Sequence, residues 1–193
     1  MNAGTGTLVR CAWAEGSDME RAYHDAEWGV PLHNDRRLFE MLTLEGAQAG
    51  LSWRQVLARR EHYRRAFHDF DIARVAAMPD DALTALLADP GLIRNRLKIA
   101  SVRDNARAAL LAIEDAGSLD AYLWSLVGGA PRVNRPASRE AVPARTEVSD
   151  AMSKALRKRG FRFVGSTICY AFMQATGMVD DHVADCFRAA PGA

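Results

Sequence analysis

Apolar positions recur at three- and four-residue spacings along most of the chain, the period of helices with one buried face. Ser17-Asp18-Met19-Glu20 reads as a capping box opening a short helix toward Trp28, closed by Gly29 and stopped by Pro31. Asn34 or Asp35 can cap the next helix, whose apolar stripe runs through Leu38, Met41, Leu42 and Ala49. Ser52 and Gln55 repeat the capping-box pattern ahead of a helical run carrying Trp53, Val56, Leu57, Tyr63 and Phe67. The same periodicity predicts helices over 71–78, 80–88, 97–116, 118–127, 149–159 and 164–176. Strand signals are scarce, and Phe161-Arg162-Phe163-Val164 is the best candidate. Residues 128–148, with Gly128, Gly129, Pro131, Pro136 and Pro143, read as a long irregular crossing. The expected fold class is all-α, in one compact body.

Composition narrows the setting more than the function. With 193 residues, 49% of them hydrophobic and 25% charged, the chain is long enough for one well-buried globular domain. Net charge is only +1, so any basic footprint for nucleic acid must be local. Met1 to Leu8 has neither the basic nor the apolar stretch of a signal peptide. No apolar run approaches the roughly 18 residues of a membrane span. Cys11, Cys169 and Cys186 leave one thiol over in any disulfide pairing, which fits a cytoplasmic protein with reduced cysteines.

Four groups of residues carry candidate chemistry. Glu45 sits among small and apolar residues in Leu44-Glu45-Gly46-Ala47-Gln48-Ala49-Gly50-Leu51-Ser52-Trp53, and Tyr23 and Trp28 lie shortly upstream. A carboxylate with indole and phenol neighbours suits a flat, cationic, hydrogen-bonding ligand such as an alkylated nucleobase. A solvated carboxylate and ordinary core aromatics are the plainer alternative. Second, Pro90-Gly91-Leu92-Ile93-Arg94-Asn95-Arg96-Leu97-Lys98-Ile99 joins two helices through a basic turn, fit either for a phosphate or for solvent. Third, Lys154, Arg157, Lys158, Arg159 and Arg162 form a basic cluster that serves DNA or merely offsets a helix dipole at Gly160.

The fourth group is Cys11, His24, His182 and Cys186. His182 and Cys186 are four apart and would share one side of a helical segment. Four N/S ligands would close a tetrahedral zinc, making the metal structural and the two ends of the chain its clasp. The alternative is two buried thiols and two ordinary histidines.

Several long blocks together resemble the DNA-3-methyladenine glycosylase I family. They are Arg10-Cys11-Ala12-Trp13, Tyr23-His24-Asp25-Ala26-Glu27-Trp28-Gly29-Val30-Pro31, Leu38-Phe39-Glu40-Met41 and the Leu44–Trp53 stretch. Lys158-Arg159-Gly160-Phe161-Arg162-Phe163-Val164-Gly165, Thr167-Ile168-Cys169-Tyr170-Ala171-Phe172-Met173-Gln174-Ala175 and Asp181-His182-Val183 continue the match in order. The resemblance implies a helical helix-hairpin-helix glycosylase fold. One glycosylase domain would span 9–187, with a disordered extension over 1–8 and a flexible tail over 188–193. It implies one structural Zn2+ on Cys11, His24, His182 and Cys186. It implies a base pocket of Glu45, Tyr23, Trp53 and Trp13, with Glu45 the catalytic-site carboxylate. Arg94, Asn95, Arg96, Lys98, Lys158 and Arg159 are the implied DNA contacts.

The implied activity is base flipping and monofunctional hydrolysis of the N-glycosidic bond of 3-methyladenine in alkylated double-stranded DNA, by a cytoplasmic monomer without membrane association. A non-catalytic DNA-damage-binding protein of the same fold is the alternative. Glu20 stands where some members carry an aromatic, which removes a stacking ring from that wall. Because a cationic base leaves as a neutral one, Glu45 is expected to recognise rather than protonate. Glu45→Gln is then expected to weaken excision with the unfolding temperature nearly unchanged.

Overall fold

The computed structural model describes residues 8–189. Of the expected extension over 1–8 only Leu8 is described, and of the tail over 188–193 only Arg188 and Ala189; the rest lie outside the described residues. Those two tail residues belong to a short 3-10 turn, Phe187–Ala189, and Arg135 donates to the carbonyl of Ala189 at 3.0 Å.

Helices dominate, and most of them start at a polar cap. The helix α1 (Asp18–Ala26) opens at Ser17, whose hydroxyl accepts from the Glu20 amide. The helix α2 (Asp35–Gln48) opens at Asn34, and α3 (Trp53–Leu57) at the full Ser52–Gln55 capping box. Next come α4 (Arg60–Ala66), α5 (Ile72–Ala76), α6 (Asp80–Leu86) and the long α7 (Arg96–Ala116), capped by Asn95 and closed by left-handed Gly117. The order ends with α8 (Leu119–Ser125), α9 (Glu147–Lys158) and α10 (Ser166–Ala175).

Two departures from the sequence reading stand out. The helical run through Trp53 to Phe67 breaks at Ala58 and Arg59, and α4 starts anew at the buried Arg60. Its guanidinium turns inward to reach Glu40 at 2.7 Å and Glu27 at 2.9 Å. The expected strand at Phe161–Val164 is a turn instead, since Phe163 adopts φ +55, which extended pairing forbids. Strand pairing falls elsewhere: β1 (Arg132–Val133), inside the irregular crossing, lies parallel to β2 (Val179–Asp180), with Arg132 opposite Val179.

The centre of the fold is α2. Every residue from Leu38 to Ala47 is buried, the pattern of a helix surrounded on all sides. It packs against α3, α7, α8 and α10. Such a position forces any polar side chain on it to find a partner or await a ligand. Among the described residues no helix is long and apolar enough to cross a membrane.

Candidate functional site

Glu45 lies in the last turns of α2 and is 4% exposed. Burial alone pushes its carboxyl up to about 8, and its Oε2 has no hydrogen-bond partner. Tyr23, on α1, is likewise buried with an unpartnered hydroxyl, its pKa raised first by burial and then by the nearby Glu45. Trp53, the first residue of α3, is half-buried, and its indole N–H also lacks a partner. The rings of Tyr23 and Trp53 are 5.1 Å apart, and Trp13 stands 6.2 Å from Tyr23. All four side chains line one cleft of about 590 Å³, together with Glu20 and Trp28. That volume admits a purine, and the three unpartnered polar atoms on its walls suit the edge of one.

Neighbouring turns fix the walls. Gly46 leaves room for the 161–165 turn: a Cβ there would stand 3.2 Å from the Phe163 Cβ and 3.3 Å from its carbonyl oxygen. Asn105 pins the same turn, donating to the Arg162 carbonyl at 3.1 Å and accepting its amide at 2.7 Å. Glu20 accepts from Ser17 and from Arg54, each at 2.8 Å, and so forms a polar, paired wall.

Gln48, Ser52 and Arg139 also line the cleft and escaped the sequence reading as site residues. Gln48 follows Glu45 by three on one helix, so its shared face was a usable signal. Arg139 lies in the irregular crossing, where no periodicity points anywhere.

A second cluster joins the chain ends. The donor atoms of Cys11, His24 and Cys186 lie within 4.8 Å of one another, all buried, a set that could hold a metal ion. His24 keeps its Nε2 toward the cluster, 3.5 Å from the Cys186 Sγ, while its Nδ1 meets Asp25 at 2.8 Å. The ring of His182 is 5.0 Å from that of His24. Its Nδ1 meets Asp180 at 2.8 Å, and its Nε2 is buried with no partner. Carboxylates orienting both rings from behind are the usual outer shell of histidine ligands. Burial pushes the Cys11 thiol up to about 12, and the Cys186 thiol beside it adds to the rise. Two crowded thiols and an orphaned imidazole nitrogen therefore fit a thiophilic cation. His182 and Cys186 are not on a helix as their spacing suggested. They are brought round by a turn in which the Cys186 amide donates to Val183 at 2.9 Å.

The basic residues divide. Arg94, Asn95 and Arg96 are exposed at the start of α7, with Asn95 accepting the Lys98 amide at 3.1 Å. Lys98 is a correction: it is buried, and its ammonium donates to the carbonyls of Ala47 at 2.8 Å and Ala49 at 2.6 Å. The ammonium is not free for a phosphate, which leaves Arg94 and Arg96 as the exposed cations of this turn. Arg159 is a second correction. It pairs with Asp115 at 2.6 Å and lies 4.7 Å over the Tyr122 ring. Asp115 and Arg96 occupy opposite ends of α7, roughly 28 Å apart at 1.5 Å per residue. Lys158, adjacent in the last turn of α9, is exposed and does not line the cleft.

The family model for methyladenine glycosylase matches residues 13–189. The chain is 49% identical to DNA-3-methyladenine glycosylase 1 of Escherichia coli K12, over 93% of this chain and 96% of that one. A crystal structure of 3-methyladenine DNA glycosylase I is 51% identical, with a TM-score of 0.89 over 93% of this chain and 98% of that chain. A tyrosine-to-phenylalanine variant of such a glycosylase, solved with 3-methyladenine, is 31% identical, with a TM-score of 0.91 over 94% and 98%. The architecture is thus that of a DNA glycosylase. The chain belongs to the methyladenine glycosylase family.

Proposed function

We propose that this chain hydrolyses the N-glycosidic bond of 3-methyladenine in alkylated DNA, releasing the free base as the first step of base-excision repair. The observation that carries the reading is the trio of unpartnered buried groups, the Glu45 carboxyl, the Tyr23 hydroxyl and the Trp53 indole N–H, on one purine-sized cleft. Similarity to relatives that carry this activity in their names, one of them solved with the methylated base, supports it.

The chemistry asks little of the protein. The alkylated base is cationic in DNA and departs neutral, so no strong acid is needed to expel it. The flipped base enters the cleft at an unstacking cost of a few kcal/mol, least for a damaged nucleotide. Glu45 accepts from its amino edge and, with no cation of the protein beside it, takes its counter-charge from the base. Tyr23, Trp53 and Trp13 add stacking and cation–π attraction, about 0.5–2 kcal/mol per contact. Water then attacks the sugar carbon and leaves an abasic site. Hydrolysis without strand cleavage is supported by Lys98, whose amine is engaged by two carbonyls and not free to form an imine.

Arg94, Asn95 and Arg96, exposed at the start of α7, serve as the backbone contact. Cys11, His24, His182 and Cys186 would hold one Zn2+, which closes the two ends of the chain and supplies stability rather than chemistry. We read the protein as a cytoplasmic monomer, with free thiols suited to a reducing compartment.

The test is release of free 3-methyladenine from methylated duplex DNA by the purified, zinc-loaded protein. Stoichiometric, enzyme-dependent release is expected. Binding to the damaged duplex without release would leave the non-catalytic damage-binding protein as the correct reading.

A further inference from the structure

We propose that Lys98 is a positioning residue that locks the DNA-facing hairpin and the base pocket into one rigid edge, an inference that rests on the excision activity proposed above. Lys98 is the third residue of α7, three after the Asn95 cap and two after the exposed Arg96. Its ammonium reaches across about fifty positions of sequence to the end of α2, where it meets the carbonyls of Ala47 and Ala49. Those carbonyls lie where the helix runs out of amide partners, and a cation is favoured there by the helix dipole. Burying an ammonium is costly, and Lys98 is only 9% exposed, so the bond network must compensate.

A helix end alone does not explain the arrangement. Gly50, at φ +79, already supplies the left-handed residue that usually closes a helix. What the lysine adds is a fixed distance between two functional parts. Glu45 lies two residues before Ala47, and Trp53 lies four after Ala49. The clamp therefore holds the turn between the two pocket walls against the first turn of the helix that offers Arg94 and Arg96 to the backbone. A phosphate gripped by the hairpin then sets where the flipped base meets Glu45. Misplacement of reacting groups by about 1 Å can lower rates by roughly a hundredfold.

The test separates positioning from binding and from folding. Lys98→Met and Lys98→Arg are compared with the unsubstituted protein below their melting temperatures, using single-turnover release of 3-methyladenine at saturating protein. Affinity is measured in parallel for a duplex carrying a tetrahydrofuran abasic analogue. The proposal expects the Met variant to lose at least about tenfold in release rate per folded molecule, with duplex affinity within twofold. Lys98→Arg, which keeps the charge and the donors, should recover part of the rate. An unchanged rate in the folded Met variant would overturn the role. So would an equal fall in affinity, which would make the lysine a DNA contact, or an Arg variant that folds as well as the parent but recovers nothing. No release by the unsubstituted protein would instead overturn the activity on which the role depends.

Discussion

Two glutamates on α2 meet opposite fates. Glu40 and Glu45 are both 4% exposed on the same helix. Glu40 accepts from Arg60 at 2.7 Å and from Arg64 at 2.8 Å, and Arg60 is held in turn by Glu27. Glu45 has neither an arginine nor a lysine, and its carboxyl rises to about 8. The fold neutralises Glu40 with its own groups and gives Glu45 no such partner, which is what the proposed base pocket requires.

The contrast can be broken first at Glu40. Glu40→Gln removes the charge shared by Arg60 and Arg64, which keep Glu27 and Glu61, and should cost about 1–3 kcal/mol of stability in urea unfolding, with excision per folded molecule retained. Glu45→Gln should do the reverse. Between the ordinary carboxyl value of 4.5 and the raised value of about 8, the folded protein holds a proton that the unfolded chain has lost. Stability therefore falls as pH rises through that window, and the substitution removes the fall. The variant should match the parent near pH 4 and exceed it by roughly 2–4 kcal/mol above pH 8, while excision drops roughly 10- to 100-fold. The burial of Glu45 thus replaces the expectation of an unchanged melting temperature with a pH-dependent one. Equal midpoints at pH 4 and pH 9 would contradict the assignment.

Smaller effects sharpen the comparison. The proposed zinc clasp predicts that Cys186→Ser lowers bound zinc and stability together, by roughly 2 kcal/mol. Retention of one equivalent of zinc with unchanged melting would refute the clasp. Trp53→Ala should weaken binding of a cationic adenine derivative by about 0.5–2 kcal/mol and neutral adenine by less. Equal losses for the two ligands would make Trp53 a packing residue.

Much of this was legible in the chain. Ser17, Asn34 and Ser52 cap helices as the sequence pattern indicates. Glu45 and its aromatic neighbours stood out in the pattern, but the family resemblance was what favoured a pocket over a solvated carboxylate and core packing. The break between α3 and α4 was hidden, since neither proline nor glycine marks it. Lys98 and Arg159 read as free cations because the carbonyls at Ala47 and Ala49, and the carboxylate of Asp115, are brought to them only by tertiary packing. The turn at Phe163 was missed because an aromatic, β-favouring segment gave no hint of a left-handed residue.

The central claim is that Glu45 waits, unpaired, for a cation supplied by the substrate. It is tested most directly by following the Glu45 carboxyl carbon by NMR across pH, free and saturated with 3,9-dimethyladeninium, a fixed cation. The free protein should titrate near 8, and the bound form well below neutrality. A free carboxyl titrating near 4.5, or a raised value that the cation leaves unmoved, would contradict the account.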